Sequence, residues 1–456
     1  MLRRVLIANR GEGAVRLVRA CHDLGIEAVA VYSTADRDGL WVRLADRAVC
    51  IGPHPPAQSY LNVSNLIAAA ETTGCDGVHP GWGFLAENAG FVRACVDNDL
   101  VFVGPNAEAI EVMGDKSRAK QTMREAGVPL VPGSADRLDP EQARRLADEV
   151  GYPVLLKAAA GGGGRGMRLV ESPEQLEEAH RLASAEAVSA FGDGGMYLEK
   201  AVVEPRHVEM QVMADGHGGV LVLGERDCSI QRRHQKLIEE GPSPALDPAT
   251  REAMADAARR ACLSCDYVNA GTVEFLLDRD GRFFFIEMNT RLQVEHPVSE
   301  LVTGYDIAAL QLLIAGGEPL PDTGLAELRG HAIEFRINTE DPGRNFMPVA
   351  GTVERLAVPL GPGVRFDSHA YEGYKVPPFY DSMLAKLIVH GADRGQALAR
   401  ARRALHELIV EGVPTTRGLF LEILEEPGFV SGGYTTAYLE QVGGRFAVLA
   451  QPEQVA

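Results

Sequence analysis

Residues 283–297 read FFFIEMNTRLQVEHP. The apolar run Phe283–Ile286 ends in Glu287, and Asn289, Arg291, Gln293 and Glu295 follow at every second position. Alternate residues of an extended chain share a face. The spacing therefore predicts one face carrying a carboxylate, an amide, a guanidinium, a second amide and a second carboxylate. Just upstream, the β-rich run 271–277, GTVEFLL, holds Glu274, and Asp278-Arg-Asp-Gly281 is a hairpin signal. Pairing of the two strands sets Glu274 opposite Glu287. Two carboxylates that close do not both ionise unaided; they need a divalent cation or a shared proton. Hard oxygen ligands suit Mg²⁺ or Mn²⁺. The competing reading is a solvated strand face of mixed charge.

The chain around this stretch has 456 residues, enough for two to four domains with ample core. Its formal charge is −18, from 45 basic and 63 acidic residues. That balance argues against nucleic acid as a partner, which requires a basic surface. No apolar run approaches the roughly 18 residues of a membrane span. The opening MLRRVLIANR reads as a strand, not a signal peptide. Seven cysteines with no secretion signal fit reduced thiols in the cytoplasm. Cys262 and Cys265 form a C-x-x-C, but they sit in a helical pattern with no second pair, which favours core packing.

Strands at Arg4–Ala8 and Glu27–Tyr32 flank a helix from Gly11 to about Leu24, the βαβ opening of a doubly wound sheet. Gly11-Glu-Gly13 resembles a dinucleotide fingerprint, but Arg16 stands at the third glycine position, so it reads as a tight turn. The loop HPGWGFLAEN, residues 79–88, follows a strand and belongs at the binding edge of that sheet. Gly114-Asp-Lys116 starts a helix, and the stiff linker Gly127–Gly133 leads into a small α+β segment, about 134–200. There, strands Val154–Lys157 and Met167–Val170 are joined by a loop with four consecutive glycines. Glycine N–H groups have no Cβ to block an approaching phosphate. The run Arg226–Lys236 is rich in cations, and in so acidic a chain it reads as a cluster that holds anions. Residues 301–313 read as one amphipathic helix. From about Arg329, short strands with Gly/Pro turns, Ala332–Asn338, Gly351–Ala357 and Val364–Asp367, suggest a separate α+β domain, with Arg336 at mid-strand.

In order, Gly114-Asp-Lys116, Lys157 with the glycine loop, Glu199-Lys200, Gln231–Lys236 and Glu287–His296 resemble the biotin carboxylases, the ATP-grasp subunits of acetyl-, propionyl- and other acyl-CoA carboxylases. The resemblance covers nearly the whole chain. It implies an α/β and α+β multidomain fold. A Rossmann-like N-terminal domain would span 1–113, an ATP-grasp domain 114–328 with its lid at about 134–200, a C-terminal α+β domain 329–446, and a tail 447–456. It also implies roles. Lys116 and Lys157 hold ATP phosphates, and Gly163 and Gly164 close over them. Glu199, Lys200 and Val202 line the adenine pocket, and His207, Gln231 and His234 contact the ribose and phosphates. Glu274, Glu287 and Asn289 bind magnesium or manganese ions. Lys236, Arg291, Gln293, Val294 and Glu295 bind bicarbonate, with Glu295 as general base. Arg336 stabilises the biotin enolate, with Trp82 near the biotin. Ala160 stands where the family often has a fifth glycine, Trp82 where many relatives have tyrosine, and Gly13 where an aliphatic residue is usual.

The chemistry asks for these residue types in its own right. Bicarbonate is a poor electrophile and is activated by phosphorylation. Its attack on the γ-phosphate needs a base, cations on the transferring group and a metal ion to spread charge. The carboxyphosphate formed must be shielded from water, a task for a lid. The alternatives are another bicarbonate-using ATP-grasp ligase, the carboxylase subunit of a pyruvate- or other-substrate biotin enzyme, and an inactive scaffolding subunit. The resemblance also implies a homodimer in the cytoplasm. None of the lysines is flanked by the methionines of a biotinylation turn. The biotinyl carrier and the carboxyltransferase are therefore expected on other chains.

Overall fold

The computed structural model describes residues 1–134, 137–158 and 167–449. Gly163, Gly164 and Ala160 lie outside these residues, as does most of the expected tail.

The first hundred residues alternate as their apolar runs predict. Strands β1 (Arg4–Ile7), β2 (Glu27–Tyr32), β3 (Arg47–Cys50), β4 (Gly77–His79) and β5 (Val101–Phe102) form a parallel sheet in the order β3-β2-β1-β4-β5. The chain reverses direction of travel beside β1. Its carboxyl end therefore faces a crevice, where a doubly wound sheet binds ligands. Helix Gly11–Asp23 starts there and packs Val15, Leu17 and Val18 into the core. β3 lacks a clear apolar signal because its side chains are mostly exposed.

A small unit follows. Antiparallel strands β6 (Val154–Ala158), β7 (Met167–Val170) and β8 (Met196–Lys200) run in the order β7-β6-β8. Helices Pro140–Val150 and Pro173–Phe191 cover one face around Leu156, Val170, Leu176 and Leu198. Its strand β8 touches the linker through a Gly133–Glu199 bridge, and the linker touches the main body through a Leu130–Phe285 bridge.

The main body is one long sheet. Strands β9 (Arg206–Ala214), β10 (Val220–Arg232), β11 (Gln235–Gly241), β12 (Asn269–Leu277) and β13 (Phe283–Asn289) are joined by β14 (Gly324–Leu325) and β15 (His331–Asn338). The order is β13-β12-β9-β10-β11-β15, continued by strands Met383–Gly391 and Val364–Ser368, with β14 beside β10. The segment after Arg329 is therefore not walled off by its own sheet. β15 pairs with β11 over Ile238–Phe335 to Gly241–Ala332, and extends the sheet that carries the acidic hairpin. Its own helices, among them Arg394–Glu407 and Arg417–Ile423, cover that extension around Phe335, Leu387, Leu405 and Phe420.

Two local expectations change. The strand expected over 351–357 is two short strands, Gly351–Thr352 and Arg355–Ala357, in separate ribbons. The single helix expected over 301–313 is two, His296–Thr303 and Ile307–Ala315, bent by 96°. Gly304 sits in the left-handed region with φ 81° and caps the first helix, and Asp306 caps the second by accepting from Ala309 N–H at 2.7 Å. Among the described residues no single helix is long and apolar enough to cross a membrane.

Candidate active site

The hairpin forms as its spacing predicts: β12 and β13 are antiparallel, and Glu274 pairs in register with Glu287. The extended face stops early. β13 ends at Asn289, and 290–295 turn into the helix at His296. The side chains still converge, now from a turn. Asn289 Nδ2 and Gln293 Nε2 donate to Glu274 Oε1 at 2.9 and 3.1 Å. Arg291 faces Glu87 of the 79–88 loop instead, with Nε 2.9 Å from Oε2, and its Nη2 donates to Asn289 Oδ1 at 2.8 Å.

Two cavities meet at this hairpin. One, about 1340 Å³, lies between the N-terminal sheet, β10–β11 and the C-terminal segment. Lys236, Arg291, Gln293, Val294, Glu295 and Arg336 line it, and so do His207, Gln231, His234 and Trp82. The other, about 690 Å³, lies between the small unit and the body and is lined by Lys116, Lys120, Lys157 and Glu199. Glu287 and Asn289 line both.

Lys236 is the hub of the larger cavity. Its Nζ donates to Glu209 Oε2 at 2.6 Å, Glu274 Oε1 at 2.9 Å and Glu295 Oε1 at 2.7 Å. Burial alone would strip its proton, but three carboxylates hold it well above the usual range. Glu295 is the mirror case. Burial works to raise it, yet Lys236, Arg336 and Arg226 hold it well below the usual carboxylate range. Its second oxygen accepts from Arg336 Nη2 at 2.8 Å, and Arg336 Nε donates to Glu239 at 2.6 Å. Glu274 is likewise held low against burial by Lys236 and His207. His207 Nε2 lies 3.1 Å from Glu274, and its Nδ1 is 2.9 Å from Gln231 Nε2.

Glu287 differs from Glu274. It opens to the cleft and pairs with no cation among the described residues. Desolvation by the cleft walls and the Glu274 charge raise it above the usual range. An acid destabilised in this way, with Glu274 and the Asn289 amide beside it, fits a hard divalent cation; all three offer oxygen.

In the smaller cavity Asp115 caps helix Lys116–Glu125, accepting from Ser117 and Arg118 N–H at 2.9 Å, and so sets Lys116 at the helix start. Lys157 of β6 and Lys120 both hold the Glu199 carboxylate. Lys200 turns away: its Nζ donates to the Gly151 and Tyr152 carbonyls at 2.9 and 2.8 Å. Neither its ammonium nor Val202 lines either cavity.

The cationic run splits into different jobs. Arg226 faces no cavity; it is fully buried and bonds to Glu209, Gln211, Ser299 and Thr272. Arg232 bonds to Asn345. Arg233 and His234 form the β10–β11 turn with φ of 49° and 66°, and Lys236 is the cation of this run that bonds Glu274 and Glu295. Sequence reasoning missed Glu209, Glu239, Glu87 and Lys120. Glu209 carries a weak signal, an acid inside the apolar strand HVEMQVM; the other three are revealed only by what folds against them.

Comparison with known proteins fixes the class. The description "Carbamoyl-phosphate synthase L chain, ATP binding domain" matches residues 115–323, so the central body is the core of an ATP-grasp ligase. The flanks narrow it: "Biotin carboxylase, N-terminal domain" matches 1–110 and "Biotin carboxylase C-terminal domain" matches 334–441. The chain belongs to the biotin carboxylase family. It is 54% identical over 441 residues to a biotin carboxylase of Nostoc sp., covering 96% of this chain and 99% of that one. It is 53% identical to biotin carboxylase 1 of Bacillus subtilis, covering 96% and 98%. The biotin carboxylase–β,γ-ATP complex from Campylobacter jejuni superposes with a TM-score of 0.90 at 49% identity, covering 97% and 99%. The biotin carboxylase domain of Hydrogenobacter thermophilus 2-oxoglutarate carboxylase, a dimer holding MgADP, ADP and bicarbonate, gives 0.89 at 46% identity, covering 99% and 100%.

Proposed function

We propose that this chain carboxylates biotin presented by a separate carrier, using ATP and bicarbonate. The carrying observation is the Lys236–Glu295–Arg336 junction. One carboxylate is gripped between two cations in the cavity that meets the nucleotide-side cavity at the metal-type hairpin.

The resting pairs explain how a carboxylate held so low can act as a base. Bicarbonate is an anion and competes for Lys236 and Arg291. The Lys236 contact it takes from Glu295 restores that carboxylate's basicity. Glu295 then accepts the bicarbonate proton as the oxygen attacks the γ-phosphorus of ATP, and ADP leaves. Lys236 and Arg291 hold the developing negative charge on the carboxyphosphate. Glu274, Glu287 and Asn289 would hold divalent ions, which supply charge neutralisation on the phosphates. Carboxyphosphate releases CO₂ and phosphate. Phosphate removes the N–H proton of biotin, Arg336 holds the enolate oxygen, and the nitrogen attacks CO₂. The Nη2 edge of Arg336 is released for this because Glu295, having taken the bicarbonate proton, no longer pairs with it as a carboxylate, while Nε stays on Glu239.

On the nucleotide side, Lys116 and Lys157 are assigned to the phosphates. Glu199 holds Lys157 in place, and 134–200 closes as a lid on the 127–133 linker. The test is ATP cleavage that depends on bicarbonate and rises with free biotin. Cleavage indifferent to both would make the chain another ATP-grasp ligase. Carboxylation of an added biotinyl carrier in trans, with no biotin on the chain by mass spectrometry, tests the separate carrier.

A further inference from the structure

Lys386 lies in strand Met383–Gly391 beneath the wall of the larger cavity, and nothing above gives it a task. Its side chain is 0% exposed. Its Nζ donates to the Val294 carbonyl at 2.7 Å and stands 3.3 Å from Glu12. The Trp82 ring covers it, with its centroid 5.0 Å from the ammonium, and the half-buried indole itself lines the cavity. Trp82 reaches that position because residue 13 is glycine. A Cβ there would lie 2.7 and 2.8 Å from indole carbons Cζ2 and Cη2, nearer than side-chain carbons approach. Gly13 sits inside a helix with no left-handed φ, so the missing Cβ is needed for room, not for conformation. The two departures from the usual family pattern, Gly13 and Trp82, are therefore one exchange of volume.

We propose that Lys386 is a positioning residue for the anion-binding turn, and that the Gly13–Trp82 pair seals it from the cavity. A trans peptide points its C=O and N–H in opposite directions. With the Val294 carbonyl fixed on Lys386, the Glu295 N–H points away from it, and among the described residues that N–H has no acceptor. An ammonium on the carbonyl also polarises the peptide and strengthens the opposite N–H as a donor. A buried ammonium can do this only while water is kept off it, which the indole face does and rewards with a cation–π contact. The ligand served is a small oxyanion of the carboxylate or bicarbonate type beside Glu295. The inference thus rests on the bicarbonate reading above.

The experiment measures steady-state KM for bicarbonate, KM for ATP and Tm in wild type, K386M, G13A, W82F and G13A/W82F. Methionine keeps the length of Lys386 and removes the charge. K386M should raise KM for bicarbonate at least tenfold, the loss of one charge-assisted bond, with KM for ATP within about twofold. G13A should raise it in the same direction by displacing the indole. W82F should undo that rise, because phenyl lacks the carbons that a Cβ at position 13 meets. If K386M lowers Tm enough to blur kinetics, K386M/E12Q removes the acid it leaves unpaired and is measured in its place. Unchanged bicarbonate KM in folded K386M, or KM values for bicarbonate and ATP that rise together, overturns the positioning role. Effects of G13A and W82F that simply multiply overturn the seal. A wild type with no bicarbonate-dependent cleavage defeats instead the functional reading on which this rests.

Discussion

Glu239 and Glu240 are neighbours in β11, and they live in opposite worlds. Glu240 is buried with both oxygens satisfied. Arg394 donates Nε and Nη2 at 2.7 and 2.9 Å, Tyr434 Oη lies at 2.6 Å and His331 Nε2 at 2.5 Å. Burial pushes it up, and the His331 and Arg394 bonds bring it down to about 2. Glu239 is equally buried but meets one cation, Arg336, and its Oε2 has no partner. Burial wins there and raises it to about 7, with the Glu295 charge adding to the effect. Complete pairing makes a strut; incomplete pairing makes a poised group. The fold has placed the complete pairing on one face of the strand and left the face toward Arg336 short, where that one guanidinium is divided between Glu239 and Glu295.

The sharpest way to break this comparison is to remove the one cation that Glu239 meets, which it divides with Glu295. Arg336→Ala should lower kcat for biotin carboxylation by about 10²–10³-fold, the scale of losing a preorganised donor to a developing oxyanion. Nucleotide affinity should stay near wild type. An unchanged turnover number would take Arg336 out of the site. Glu295→Gln should cut bicarbonate-dependent ATP cleavage by about 10²-fold or more, while nucleotide still binds. Substantial cleavage by that variant would place the base elsewhere.

Both sites divide in the same way between what the sequence carries and what only folding supplies. The Glu274–Glu287 register was legible because a hairpin signal and an apolar run fix which residues pair. The parallel opening sheet was legible from its repeated strand–helix pattern. The joining of β15 to β11 was not, because strand partners distant in sequence leave no local periodicity. For the same reason, Arg226 and Lys236 look alike in a cationic run. One is sealed on Glu209 and the other turned to the cleft, and the difference is made by β9 and β12, not by their neighbours in sequence.

The strut side yields a stability test. Glu240→Gln should cost about 3 kcal/mol at neutral pH, since it leaves Arg394 and His331 facing a neutral group in the core. Its pH dependence has a definite sign. Glu240 is about 2 folded and about 4.3 unfolded. Its contribution is therefore full above about 4.3 and drains away as pH falls toward 2. Denaturant melts from pH 5 to 2.5 should show a steeper loss in wild type than in Glu240→Gln; parallel curves would mean that Glu240 is not held low.

The smallest effect belongs to its neighbour, and its slope has the opposite sign. Glu239 is about 7 folded, above its unfolded value near 4.3. Between these values the unfolded chain releases a proton that the folded chain keeps. Glu239's contribution to stability should therefore fall as pH rises from about 4.3 to 7, and level off above. Glu239→Gln keeps the shape and cannot ionise, so it should make the wild-type slope shallower by that share and leave stability at pH 5 nearly unchanged. It also keeps a neutral partner on Arg336. The biotin reaction should then become less sensitive to pH around 7, because no Glu239 carboxylate forms to compete for the guanidinium. If Glu239→Gln instead destabilises the protein at pH 5 as much as Glu240→Gln does at neutral pH, Glu239 is a strut too. The contrast between the two faces of β11 would then be lost.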